Sequence, residues 1–168
     1  MTPLVQVDKY VLDDIHMALD REPCKLPRPI IYAWIEQESS FNPRAFRFES
    51  HYKWLYKPAI FAKYWDHSVD LEILQQKTSW GLTQMMGAVV RENFPEFKFP
   101  LPEALTNPFL SVLYGVRWMN RLIDKANSSI RTALIMYNGG ASAVNSPRQL
   151  QIIKHYVEPI LEKALKYE

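Results

Sequence analysis

Apolar positions recur along most of this chain at intervals of three and four residues, the spacing of helices that bury one face. From Val7 to about Arg21, Val11, Ile15, Ala18 and Leu19 form such a stripe. Pro23, Pro27 and Pro29 then break the helix into a linker. A second helix starts near Pro29 or Ile30 and ends near Ser39, where Phe41-Asn42-Pro43 stops it. A third is predicted from Gly81 or Leu82 to Phe94. Asn107-Pro108 reads as a cap followed by proline at the first helical position. The helix after it carries Val112, Val116, Met119 and Ile123 on one side and lasts to about Ala126. Ser128 or Ser129 caps the next, in which Ile130, Ala133, Leu134 and Tyr137 share a face, and Asn138-Gly139-Gly140 ends it. Ser146-Pro147 opens a last helix with Leu150, Ile153, Val157 and Ile160 in line, which Pro159 should kink or split. Between Arg44 and Thr78 the period is lost among aromatics that run from Phe46 to Trp65, and short helices and loops are expected there.

One position breaks its own pattern. Ile31, Trp34, Ile35 and Glu38 occupy i, i+3, i+4 and i+7 of the second helix, three large apolar residues and a carboxylate. Burial against such a face disfavours the charged form of the carboxyl and raises its pKa. A carboxyl that keeps its proton near neutral pH can act as a general acid. The competing explanation is a glutamate at a fraying helix end, turned out into water.

Composition narrows the alternatives. A chain of 168 residues with 48% apolar content suits one ordered domain over its whole length. Five glycines and no long alternating pattern disfavour an all-β fold. No apolar run approaches the length of a membrane span. Met1 to Tyr10 carries Asp8 and Lys9 where a signal peptide would have its apolar core, so no secretory signal is expected. Cys24 stands alone, which excludes an internal disulfide and a cysteine metal cluster. His51 and His67 lack the spacing of a helical metal pair, so neither metal nor cofactor is expected. A net charge of +2 without a dense Lys/Arg run argues against a nucleic-acid binder and permits weak attraction to an anionic polymer.

Three separated segments resemble one family. Glu38-Ser39-Ser40-Phe41-Asn42-Pro43-Arg44-Ala45 is similar to the ES-x-FNP-x-A motif of lytic transglycosylases of the soluble (SLT) type. Ser79-Trp80-Gly81-Leu82-Thr83-Gln84-Met85-Met86 resembles their GL-x-Q-x-M motif, and Ala133 to Gly140 their A-x-x-x-Y-N-[AG]-G motif. The order agrees, over about Pro29 to Gly140. Two departures stand out. The segment from Arg44 to Trp80 is much longer than many members have, and with Arg47-Phe48-Glu49-Ser50-His51-Tyr52 it is similar to that of phage-associated or cell-wall-directed relatives. Gly87 stands where many members have proline.

The resemblance implies an all-α, lysozyme-like domain with a substrate groove between helices and Glu38 at its floor. It also implies cleavage of the β-1,4 bond between N-acetylmuramic acid and N-acetylglucosamine in peptidoglycan, by a monomer that needs no cofactor. Glu38 would protonate the departing oxygen and then take the proton of the sugar's own 6-hydroxyl, closing a 1,6-anhydro ring. Ser39 either bonds its own helix end or orients Glu38 or sugar. Gln84 suits a sugar hydroxyl or N-acetyl group. Met85 belongs to core or groove floor. Tyr137 packs against the core with its hydroxyl toward Glu38 or substrate. Asn138 either ends its helix or touches the groove. Glu49 is a candidate second carboxylate that would permit hydrolysis with water, as are Asp66, Asp70 and Glu72. A salt bridge from Glu49 to Arg47, Arg44 or Lys53 is the favoured reading. The alternatives are a water-using muramidase, a chitinase acting on related chains, and an inactive glycan-binding module. A chain made in the cytoplasm would reach the wall by phage-type release, carriage in a virion or a dedicated secretion system.

Overall fold

A computed structural model describes residues 3–98 and 101–168 of the chain. The start of the N-terminal stretch, Met1 and Thr2, lies outside the described residues. The architecture is mainly helical, with one small sheet. The helices are α1 (Lys9–Arg21), α2 (Arg28–Ser39), α3 (Pro58–Trp65), α4 (Val69–Gln76), α5 (Gly87–Asn93), α6 (Pro108–Lys125), α7 (Ile130–Gly139), α8 (Gln149–Ile152) and α9 (Glu158–Ala164). A π-helix, Ile153–Val157, joins the last two. Strands β1 (Phe46–Phe48), β2 (Thr78–Trp80) and β3 (Met85–Met86) pair antiparallel in chain order. Among the described residues no helix is long and apolar enough to cross a membrane.

The stripes meet as their spacing requires. α1 packs on α6, α2 on α9 and α7 on α6. Val112, Val116 and Met119 of α6 are fully enclosed, as are Ile15 and Ala18 of α1. Asn107 and Ser129 cap α6 and α7, accepting from the N–H of Leu110 at 2.9 Å and of Thr132 at 3.2 Å.

Two expectations fail. The helix predicted from Gly81 begins only at Gly87, because residues 81–84 turn instead. Gly81 has φ +70 and packs so closely that a Cβ would lie 1.9 Å from the Leu105 carbonyl oxygen. Gln84 also takes a positive φ of 50, and Met85 and Met86 leave the turn as β3. Leu150, expected on the buried stripe of the last helix, is 76% exposed. Its neighbour Ile152 is buried instead, since the helix widens directly after it and its phase changes. The segment between Arg44 and Thr78 holds the short helices expected there, α3 and α4, and adds strand β1.

That segment is anchored by a buried polar cluster. Glu72 of α4 is fully buried, accepting from Arg91 Nε at 2.9 Å, Arg91 Nη2 at 3.1 Å and Gln76 Nε2 at 2.9 Å. His67 Nε2 lies 3.2 Å from its second oxygen. The end of α4 lies directly on α5: a Cβ on Gly87 would come within 2.1 Å of the Gln75 carbonyl oxygen. A longer inserted segment packs where a proline ring at position 87 would stand.

Candidate active site

α2 positions Glu38. Ile31, Trp34 and Ile35 are at most 1% exposed, and the helix ends at Ser39 because Ser40 and Phe41 take left-handed conformations with φ 52 and 60. Glu38 falls in the last turn, where the buried face reaches the surface. The residue is half-buried, and it lines an open cleft of about 380 Å³. Its carboxyl sits deep enough that desolvation pushes its pKa up from 4.5 to about 7. A hydrogen bond from Tyr156, the positive charge of Arg47 and the indole N–H of Trp34 each pull it back.

Tyr156 donates its hydroxyl proton to Glu38 Oε1. The phenol is buried, and both desolvation and the neighbouring carboxyl drive its own pKa well above 10, so it stays a donor. Tyr156 reaches Glu38 from the π-helix. Pro159 has no N–H to offer the His155 carbonyl, and its ring crowds that turn. The backbone widens before it, and the Glu158 N–H bonds Ile153 rather than the residue four back. Sequence reasoning missed Tyr156, although Pro159 marked the disturbed turn in which it lies.

Trp34 completes the cradle one turn before Glu38. Its ring stands edge-on to Tyr137, with centroids 4.9 Å apart at 84°. Its buried N–H makes no hydrogen bond of normal geometry, yet it faces both the Glu38 carboxyl and the Tyr156 hydroxyl.

Several residues singled out from sequence have other duties. Tyr137 donates to the Thr83 carbonyl at 2.6 Å rather than to Glu38, with its ring held edge-to-face against Trp34. The hydroxyl of Ser39 bonds Ile35 of its own helix at 3.1 Å. Gln84 is buried and its amide is committed to protein: it accepts from Ser79 Oγ at 3.0 Å and donates to Ala45 O at 3.1 Å and Gly81 O at 2.9 Å. It ties Ala45, just before β1, to β2 and the turn after it, and it does not line the cleft. Met85 is 2% exposed and belongs to the core. Asn138 is exposed and does line the cleft beside Glu38.

The candidate second carboxylates fall elsewhere. Glu49 accepts from Arg47 Nε at 2.5 Å and does not line the cleft. Asp66 and Asp70 are exposed around the α3–α4 junction, and Glu72 is enclosed with Arg91. Among the described residues Glu38 is the only carboxylate lining the cleft. No group of three or more His, Cys, Asp or Glu among them is placed to hold a metal.

A mainly helical fold carrying one desolvated carboxyl in an open cleft is of the lysozyme-like class. Residues 21–156 match the family model described as the transglycosylase SLT domain, and the chain belongs to that family. Peptidoglycan is the substrate and lytic transglycosylation the activity that this family indicates. No curated protein and no solved structure gives a significant match.

Proposed function

We propose that this chain cleaves the β-1,4 bond between N-acetylmuramic acid and N-acetylglucosamine without water, using Glu38 as both acid and base. Protonated Glu38 gives its proton to the bridging oxygen as the bond from C1 to that oxygen breaks. The 6-hydroxyl oxygen of the same muramoyl ring then bonds to C1, and its proton returns to Glu38. The products are a 1,6-anhydro muramoyl end and a free 4-hydroxyl on the glucosamine side. The tethered hydroxyl supplies proximity that a bulk water would lack.

The observation that carries this reading is a single carboxyl, raised to about 7, in a cleft that no other carboxylate among the described residues lines. At neutral pH such a group populates both the acid and the base form, as one residue acting in two steps requires. Tyr156 and Trp34 support the carboxylate left after the first transfer, because both present donors to it.

Borohydride reduction and mass spectrometry of digested peptidoglycan test the proposal. Anhydro ends, unreduced and lighter by one water, are expected. Reducible N-acetylmuramic acid ends would make the enzyme a muramidase and send the search for a second group back to Glu49 and Asp70. No cleavage of any strand would leave an inactive binding module.

A further inference from the structure

The cleft has a second property that proton transfer at Glu38 does not use. Arg148, Gln151 and His155 stand at i, i+3 and i+7 along the segment that leads through α8 into the π-helix, and all three line the cleft. Arg47 lines it from β1. Three basic side chains from two parts of the fold thus converge on a cavity in which, among the described residues, Glu38 is the single acidic wall residue.

Exposed arginines on helices are common and usually do no more than face water. Several cations elsewhere on this surface are answered by acids, among them Lys25 by Asp124, Arg117 by Glu22 and Glu96, and Arg131 by Glu158. Arg47 itself has Glu49 at 2.5 Å. Among the described residues the guanidinium of Arg148 meets no carboxylate, and neither does the ring of His155. The root of Arg148 is nevertheless held, since its backbone N–H donates to Ser146 Oγ at 3.2 Å. A planar fork of donors on a fixed root suits a planar acceptor with two oxygens. The sugar rings of a glycan strand carry hydroxyl and acetamido groups, which leave such a fork half used. The peptide attached to the muramoyl sugar carries carboxylates close to the bond being cut.

We infer that Arg148, with His155 and Arg47 beside it, forms a carboxylate subsite that takes the stem peptide of the muramoyl residue and selects strands whose stems are ionised. The inference rests on the peptidoglycan reading above. Gln151, between Arg148 and His155, offers an amide to the same peptide.

Two measurements test it. In the first, the full chain is titrated calorimetrically with a soluble muramyl tripeptide carrying free carboxylates and with the same molecule fully amidated. Amidation should weaken binding about tenfold, the scale of one charge-assisted hydrogen bond. Arg148→Glu should cost as much, and the two losses should not add. Equal binding of the two peptides, or fully additive losses, overturns the subsite. In the second, kcat/KM is compared on peptidoglycan before and after amidation of its stems. The preference for ionised stems should collapse in Arg148→Gln and survive in part in Arg148→Lys. A preference that is unchanged in Arg148→Gln overturns the inference. So does one that vanishes when hydrofluoric acid strips wall phosphate from otherwise intact strands, because the anion would then be a phosphate. If the chain cuts no strand, the transglycosylase reading fails, while the titration still decides the subsite on its own.

Discussion

Two glutamates are withdrawn from water in this molecule, and they are treated in opposite ways. Glu72 is enclosed with a guanidinium, and its oxygens are committed to Arg91 and Gln76, with the ring of His67 3.2 Å away. Glu38 is given a phenol and an indole, and the cation that acts on it, Arg47, is itself engaged by Glu49. Glu72 closes a joint between α4 and α5 and has no oxygen left for a substrate. Glu38 is held in place yet keeps its proton available at an open cleft. Burial alone therefore does not decide what a carboxyl can do. The distinguishing feature is a counterion in contact, supplied at one glutamate and withheld at the other.

The contrast can be broken by exchanging what each glutamate is given. Arg91→Met should have the largest effect, because it leaves Glu72 buried without its partner. A loss of about 3–5 kcal/mol of stability is expected, read as a fall in Tm by circular dichroism. A change below about 1 kcal/mol would mean that water reaches Glu72 and that the joint is not a buried ion pair.

Glu38→Gln should do the reverse to stability while removing activity. Peptidoglycan clearing should drop by at least about two orders of magnitude, with the circular dichroism spectrum unchanged. Near-normal clearing would end the assignment of Glu38. Its folded-state pKa of about 7 lies above the ordinary 4.5, so folding favours the protonated carboxyl. Stability is therefore full below pH 4.5 and falls as pH rises to about 7, by up to about 3 kcal/mol. Glutamine carries no such penalty. The variant should melt above the wild type at pH 8, and the gap should close toward pH 4.5. A gap independent of pH would mean that the carboxyl is solvated in the folded protein.

Tyr156→Phe is the mildest change and the sharpest probe of the cradle. Loss of its donor raises the Glu38 pKa further. The limb on which activity falls at high pH, where the acid form disappears, should move to higher pH, and the maximal rate should drop about tenfold. A pH–rate profile of clearing that keeps its wild-type limb would separate Tyr156 from the proton chemistry.

Much of the helical frame could be read in advance because its causes are local. Asn107 and Ser129 cap their helices through bonds that span three residues, and the α6 stripe is buried as its spacing demands. Glu38 could be found because one turn of α2 sets it beside Trp34 and Ile35. Its neighbours at the cleft could not be read in the same way. Tyr156 arrives from the far end of the chain, and a widened helical turn decides where it points. The same widening turned Leu150 out to solvent. Gln84 and Tyr137 sit within matched motifs, yet their hydrogen bonds go to Ala45, Gly81, Ser79 and Thr83 rather than into the cleft.

The amino-acid order by itself determined a helical chain, a family and one oil-facing carboxylate, because periodicity and capping act within a few residues. Tertiary structure alone decided which glutamate has a counterion and which has a phenol. Those partners come from elements distant in sequence, and their meeting depends on packing angle and helical phase. A one-residue slip in either would turn the partner away.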